Sequence, residues 1–371
     1  MRFSNRKLEG LPEPEEIVIK DLASYIQLFS DGKYRNYFFR GEPTNYHETV
    51  SSALRGDFRY SFIEMRNEFK KEVWHKLSSD ERTYFTAFSQ HHGIPTNLID
   101  ITTSPLVALY FACGNYKNPI DTNYDEERGY VYLFEDNFVD ITNILIKFED
   151  ENLLEIYAYN RENILFDMYK IFLEFEKKKP YDFYKYIKKL NDDYHYYFGI
   201  GIEKIHLPKE LVPYNNGEYK REIWEYMFDV MNENKEVKDL FSQLENTFRK
   251  VSDEVFLYTV YLQKFLKNIL DFTEPIWWFN IMPNFKYAPI LTFERGRNQQ
   301  GLFIYQTYLS YIEQVYNAEI LAQQRVWPDK IIVIENKNLI HKELDFIGIN
   351  EKFIYGDFDN VASYIKKNVT N

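Results

Sequence analysis

The sequence predicts an α+β protein with a small mixed or antiparallel β core, flanked by helices and interrupted by a large helical insertion. Three observations carry that expectation. In residues 1–135 short aromatic and β-branched runs alternate with helical spacing. Residues 136–285 lose the strand pattern and show long helical periodicity, rich in Lys, Glu, Asn, Tyr and Phe. From residue 286 to 371 the β pattern returns. The three zones read as the first half of a core, an insertion or subdomain, and the second half of the same core. With 371 residues the chain is long enough to bury a large interior.

Taken in order, Glu16-Ile17-Val18-Ile19 suits a strand, and Asp21 caps an amphipathic helix reaching Phe29. Tyr37-Phe38-Phe39 is an aromatic strand ended by Gly41. Phe62, Met65, Phe69, Val73 and Leu77 recur every three or four residues, which predicts a helix over 59–77. Ser104-Pro105 is a helix start, a capping hydroxyl before a proline at the first helical position, and Gly114 is placed to end that helix. Residues 106–113 are apolar all round, so the helix is buried on more than one face. Tyr130 to Phe134 reads as a strand. In the insertion, the spacing of Ile164, Met168, Ile171, Phe172 and Phe175 predicts one helix, ended by Lys177-Lys178-Lys179-Pro180, and residues 253–271 another. Strands are expected at Pro289–Phe293, Leu302–Tyr305 and Lys330–Ile334. Helices are expected at Leu339–Phe346 and behind Asp357 or Asp359, with the run Phe353-Ile354-Tyr355 between them.

A net charge of −12 argues against non-specific binding to nucleic acid or to anionic lipid, and the basic clusters read as solvated helix ends. No stretch approaches the roughly 20 apolar residues of a membrane span, and no signal peptide is expected, so the cytoplasm is the expected compartment. The single Cys113 excludes an internal disulfide and a multi-cysteine zinc site, and it reads as a small buried hydrophobe. No phosphate-binding loop, dinucleotide fingerprint or nucleophile elbow occurs.

The polar residues set between apolar runs supply the candidate chemistry. Arg40 ends the aromatic strand, and a guanidinium there can grip a phosphate or carboxylate, or equally brace a buried carboxylate such as Asp100. Gly41 lets a backbone or ligand come close. His91 and His92 are adjacent, so in a strand they would face opposite sides and only one would line a given pocket. His92 is the stronger candidate for a general base or a hydrogen-bond donor. A metal site from His91, His92 and Asp100 has no recognised ligand spacing. Thr102 and Ser104 lie at a helix start, where capping and anion binding are compatible. Gln299 and Gln300 can bind an amide or a ribose hydroxyl, and Glu294 is the nearest carboxylate to them.

These residues resemble the FRG-domain family. The resemblance rests on Phe39-Arg40-Gly41, then on His91-His92-Gly93-x-Pro95-Thr96-x-Leu98-x-Asp100-x-Thr102-x-Ser104-Pro105-x-x-Ala108-Leu109-Tyr110-Phe111-Ala112. It continues at Arg295-x-x-x-Gln299-Gln300-Gly301-x-Phe303 and at the Lys330–Ile334 strand, spanning about residues 36 to 367 and placing the insertion inside the domain. Asn97 stands where the family usually carries Arg, and Ile101 where it usually carries Trp. The resemblance implies a bacterial or phage-associated protein with a part in antiviral defence.

The order of the motifs is also similar to ADP-ribosyltransferase-like folds. By that analogy Arg40 anchors NAD, His92 acts with Thr102 or Ser104, and Gln300 or Glu294 sits by the nicotinamide ribose. The catalytic set is then His92, Gln300 and Glu294, and the binding set is Arg40, Gly41, His91, Thr102 and Ser104. NAD would be the substrate of a toxic effector, with no other cofactor implied. The alternative is a binding module that senses a nucleotide or phage component without turnover, with the helical insertion as a protein-binding surface.

Overall fold

Runs of branched and aromatic residues form the strands, as the pattern predicts, but they join into a wider sheet than the sequence suggests. The computed structural model describes residues 3–8, 10–55, 62–115, 125–148, 151–198, 225, 227–270, 277–291, 294–310 and 320–369. Its strands are β1 (Glu15–Ile19), β2 (Tyr37–Glu42), β3 (Leu98–Thr102), β4 (Gly129–Glu135), β5 (Val139–Asp140) and β6 (Trp277–Phe279). They continue with β7 (Phe285–Tyr287), β8 (Gly301–Tyr305), β9 (Tyr308–Ser310), β10 (Ile320–Gln324) and β11 (Lys330–Ile334). Among the described residues, an eight-stranded sheet has the order β1-β11-β4-β2-β3-β8-β7-β5, and a three-stranded sheet the order β6-β10-β9. The large sheet is mixed: β1 runs parallel to β11 and β5 to β7, while the other neighbours are antiparallel.

The helices largely follow the sequence signals. Helix α1 (Leu22–Ser30) begins where the Asp21 carboxylate accepts from the Ser24 amide. Helix α2 (Phe62–Val73) occupies the middle of the predicted 59–77 span, whose first residues lie outside the described ones. The short helices α3 (Ser79–Thr83) and α4 (Phe85–His91) lead to β3, and α5 (Pro105–Ala112) starts at Ser104, whose hydroxyl accepts from the Val107 amide. The insertion forms α6 (Thr142–Lys147), α7 (Leu153–Ala158), α8 (Ile164–Lys178), α9 (Pro180–Phe198), α10 (Lys235–Thr247) and α11 (Asp253–Leu270). After it come α12 (Glu294–Asn298), α13 (Lys337–Phe346), α14 (Glu351–Tyr355) and α15 (Phe358–Val369).

Two expectations are corrected, and one open segment is assigned. Residues 289–291 form no strand; the local pairing is made earlier, by Phe285–Tyr287 on β8, and residues 292–293 lie outside the described ones. The aromatic run Phe353-Ile354-Tyr355, left unassigned by the sequence, belongs to α14, where Ile354 is buried, Tyr355 packs half-buried against the second core cluster described below and Phe353 is exposed. His91 and His92 lie at the end of a helix rather than in a strand, because α4 continues through the Phe88-Ser89-Gln90 segment.

The insertion does not form a separate core. One continuous apolar cluster contains Ile156, Phe172, Tyr258 and Phe265 from its helices together with Ala87, Leu98, Phe303 and Tyr305 from the sheet side. A second cluster holds α1, α5 and α13 against β2, β4 and β11.

Helix α5 comes unusually near the sheet, and two glycines permit it. A Cβ on Gly41 would stand 1.8 Å from the Ala108 carbonyl oxygen and 2.7 Å from the Ala112 amide. One on Gly129 would stand 2.1 Å from the Ala112 carbonyl oxygen. These are backbone atoms of a regular helix, which cannot swing aside as a side chain can. Gly41 therefore lies inside β2 rather than ending it. Gly41→Ala and Gly129→Ala are each expected to destabilise the fold by about 2 kcal/mol or more, on the scale of an overpacked core. Gly301→Ala, whose Cβ would lie 3.6 Å from the nearest carbonyl, is expected to be tolerated. Urea denaturation of the three variants beside wild type measures the difference.

Candidate functional site

The site follows from a break in the hydrogen-bond ladder. Strand β2 pairs with β4 at six successive positions, and β3 pairs with β8 at five. Between β2 and β3 the ladder has a single pair, Phe39 with Thr102. Beyond that pair the Arg40 side chain spans the opening. Its Nη1 donates to the Asp100 carbonyl oxygen (2.8 Å), and its Nε donates to Glu42 Oε1 (2.8 Å). Arg40 thus stands in for the missing backbone bonds. Desolvation works against the Arg40 charge, but Glu42 and Asp100 outweigh it and hold the guanidinium above its ordinary value.

A cavity of about 250 Å³ opens at this break. Its apolar walls are Phe39, Val107, Phe111, Leu291 and Phe303, and its polar lining includes Arg40, Asp100, Thr102, Gln90, His91, Arg295 and Gln299. Two cations, one carboxylate, one imidazole and two amides around a hydrophobic floor describe a site for a small ligand with an anionic group and a flat apolar part.

The imidazole in the cavity is neutral. Partial burial first, then the neighbouring His92 and Arg295, push His91 down to about 4, against a weaker opposing pull from Asp357. A neutral ring can accept a proton or a hydrogen bond near neutral pH, which a protonated one cannot. His92 is not among the cavity-lining residues. Its ring packs 4.4 Å from Phe88 and 6.2 Å from Phe69, on the outer side of α4, and desolvation also lowers it.

The remaining expected site residues divide similarly. Arg40, Gly41, His91 and Thr102 border the cavity. The space left by the missing Gly41 side chain is filled by α5, not open to a ligand. Thr102 donates to the Gln299 carbonyl (2.6 Å) and accepts from the Ser104 amide (2.9 Å), so its hydroxyl ties two turns together. Ser104 caps α5 and does not line the cavity. Gln300 and Glu294 are exposed and also do not line it. Gln300 adopts a left-handed backbone (φ 47°), which turns its side chain toward Thr103, its Oε1 accepting from Thr103 Oγ1 at 3.2 Å. Its neighbour Gln299 enters the cavity instead, with its Nε2 donating to the Ile354 carbonyl (3.3 Å).

Two participants had no role assigned from the sequence, Arg295 being named only as part of a motif and Arg55 not at all. Arg295 stacks over the Tyr355 ring at 5.0 Å and faces His91, a placement that depends on α12 meeting α14. Arg55 lies within electrostatic reach of Arg40, Glu42 and Asp100, and desolvation followed by Arg40 lowers its guanidinium. Arg55 carries no local signal beyond a basic residue in a loop, and the motif that contains Arg295 does not say which charges it meets.

Residues 35–120 match the family model described as FRG domain. The chain contains an FRG domain. That span carries β2, β3, α4 and α5, and with them Arg40, His91, Asp100 and Thr102. The FRG domain is therefore one wall of the cavity, while Arg295, Gln299 and Phe303 close it from beyond the matched residues. No curated protein and no solved structure matches the chain. Among the described residues, no helix is long and apolar enough to cross a membrane.

The His91 shift has a measurable sign. Between the ordinary imidazole value of 6.5 and about 4, the unfolded chain holds a proton at this position that the folded chain does not. Stability is therefore lost as pH falls through that window and levels off below it. His91→Gln is expected to flatten this part of the stability profile relative to wild type, as read by urea denaturation at a series of pH values. Parallel profiles for the two proteins would show that His91 is not held neutral.

Proposed function

We propose that the cavity at the break between β2 and β3 binds a nucleotide, with NAD as the leading candidate. The single observation that carries the reading is Arg40, a guanidinium braced by Glu42 and the Asp100 carbonyl at the edge of an apolar-walled pocket. Fixed donors next to a hydrophobic slot suit a phosphate joined to a flat ring. Arg295 adds a second cation, and Gln90 and Gln299 offer amides for a ribose or a base.

A second reading, turnover of NAD by cleavage or ADP-ribosyl transfer, is favoured by one further observation. Asp100 and a neutral His91 line the same cavity. In that reaction the bond between the nicotinamide nitrogen and the ribose C1′ breaks, and nicotinamide leaves with the bonding electrons. The Asp100 carboxylate stabilises the positive charge at C1′. Water or an acceptor hydroxyl attacks C1′ and gives its proton to His91. These roles differ from the sequence assignment to His92, Gln300 and Glu294, which lie off the cavity. The likeness to an ADP-ribosyltransferase-like core and the part in phage defence rest on motif order and family resemblance.

The test is calorimetric titration of the full chain with NAD, ADP-ribose and AMP, alongside an assay of NAD consumption. Arg40→Ala is expected to weaken binding at least about tenfold, measured on protein whose circular dichroism spectrum matches that of wild type. Asp100→Asn is expected to bind as wild type does and to lose turnover. Binding without any NAD consumption would select the sensing version, and absence of binding to all three ligands would remove the nucleotide reading.

A further inference from the structure

The arginine behind Glu42 is the part of this site that packing alone does not explain. Arg6 is fully buried, and its guanidinium lies 4.5 Å from the Tyr132 ring and 5.8 Å from the Trp327 ring. Its Nη2 is 3.7 Å from Glu42 Oε2, too far for a hydrogen bond, and among the described residues none of its three nitrogens makes a well-formed hydrogen bond, although the Tyr132 hydroxyl lies near enough to interact. The segment that carries it is fastened at both sides. The Phe3 and Ser4 amides donate to the Glu16 carboxylate (3.0 and 2.9 Å), and Asn5 Nδ2 donates to the Asn45 carbonyl (2.8 Å). A fully buried guanidinium without a well-formed hydrogen bond is costly, and an apolar side chain of similar length would fill the space at less cost.

The charge count gives the residue a purpose. Glu42 is nearly buried and touches two guanidiniums, Arg40 through Oε1 and Arg6 through Oε2. Without Arg6, the Arg40–Glu42 pair would be neutral and its pull on an anion largely cancelled. With Arg6 the buried trio keeps one net positive charge, and of its two arginines only Arg40 borders the cavity. Asp100 lies in turn within electrostatic reach of Arg40 and of Arg55, so its charge is answered separately from the trio.

We propose that Arg6 is a positioning residue for the anion end of the cavity. It neutralises Glu42 from behind, so that Arg40 stays braced by that carboxylate and still attracts a phosphate. The inference rests on the nucleotide reading of the cavity, and its failure can be told apart from the failure of that reading.

The experiment compares AMP with adenosine by calorimetry on the full chain. Arg6→Met is expected to weaken AMP on the order of tenfold and to leave adenosine unchanged. Arg6→Lys is expected to stay near wild type. Adding Glu42→Gln to Arg6→Met restores the net charge and is expected to recover most of the AMP affinity, a rescue that a merely structural role would not produce. If Arg6→Met does not fold, Glu42→Gln alone serves, and it is expected to bind AMP more tightly than wild type. Equal losses for AMP and adenosine, no rescue by Glu42→Gln, or weaker AMP binding by Glu42→Gln alone would each overturn the inference. A wild-type protein that binds neither ligand would remove the nucleotide reading itself.

Discussion

The seating of helix α5 on Gly41 and Gly129 is the contact on which the rest of the arrangement depends. The helix backbone occupies volume that any side chain at those positions would claim. That close approach sets the height of α5 above β2 and β4. It places Val107 and Phe111 as the floor of the cavity and lets Ser104 cap the helix beside the Thr102 turn. The same helix is nearly all apolar, with Ala108, Leu109 and Ala112 fully excluded from water, so its burial supplies much of the driving force for the second core cluster. A helix lifted by one methyl group would open the cavity floor and weaken that cluster together.

The second constraint is electrostatic and lies on the opposite face of the same strand. Side chains alternate along β2, so Phe39 and Gly41 meet the helices while Arg40 and Glu42 meet the segment bearing Arg6. One six-residue strand therefore carries both the helix seat and the charged trio. Its ladder to β3 ends after one pair, and a side chain takes over where the backbone bonds stop. Polar function at the middle of a wide sheet is possible because that interruption exposes side chains which a continuous ladder would have covered.

The helical insertion bears on the site through its packing. Its helices share one apolar cluster with β3, β8 and α4, the elements that carry Asp100, Phe303 and His91. Any shift of α7, α8 or α11 would be felt by the cavity walls, because close-packed cores transmit displacement. The buried amides Gln306 and Gln324 tie the two sheets together, with Gln306 Nε2 donating to the Gln324 carbonyl at 2.9 Å. The insertion, the small sheet and the FRG-domain strands thus form a connected interior.

The sequence by itself determined the local elements and the identity of the motifs. Asp21 and Ser104 mark helix starts because capping is a matter of a few adjacent residues, and the 330–334 strand is an uninterrupted branched run. Arg40, His91 and Asp100 stood out as polar residues between apolar runs, and all three border one cavity. The sequence favoured His92 over His91, whereas His91 borders the cavity, because the helix that aims one inward and packs the other against Phe88 ends at that very dipeptide. It assigned a role to Gln300 where Gln299 enters the cavity, since a left-handed backbone at Gln300 reverses the direction of the chain. Only the tertiary structure brought Arg6 and Arg295, from opposite ends of the chain, to the charges around Arg40 and His91. Such long-range pairing depends on which strands become neighbours, and the spacing of residues along one strand carries no record of that.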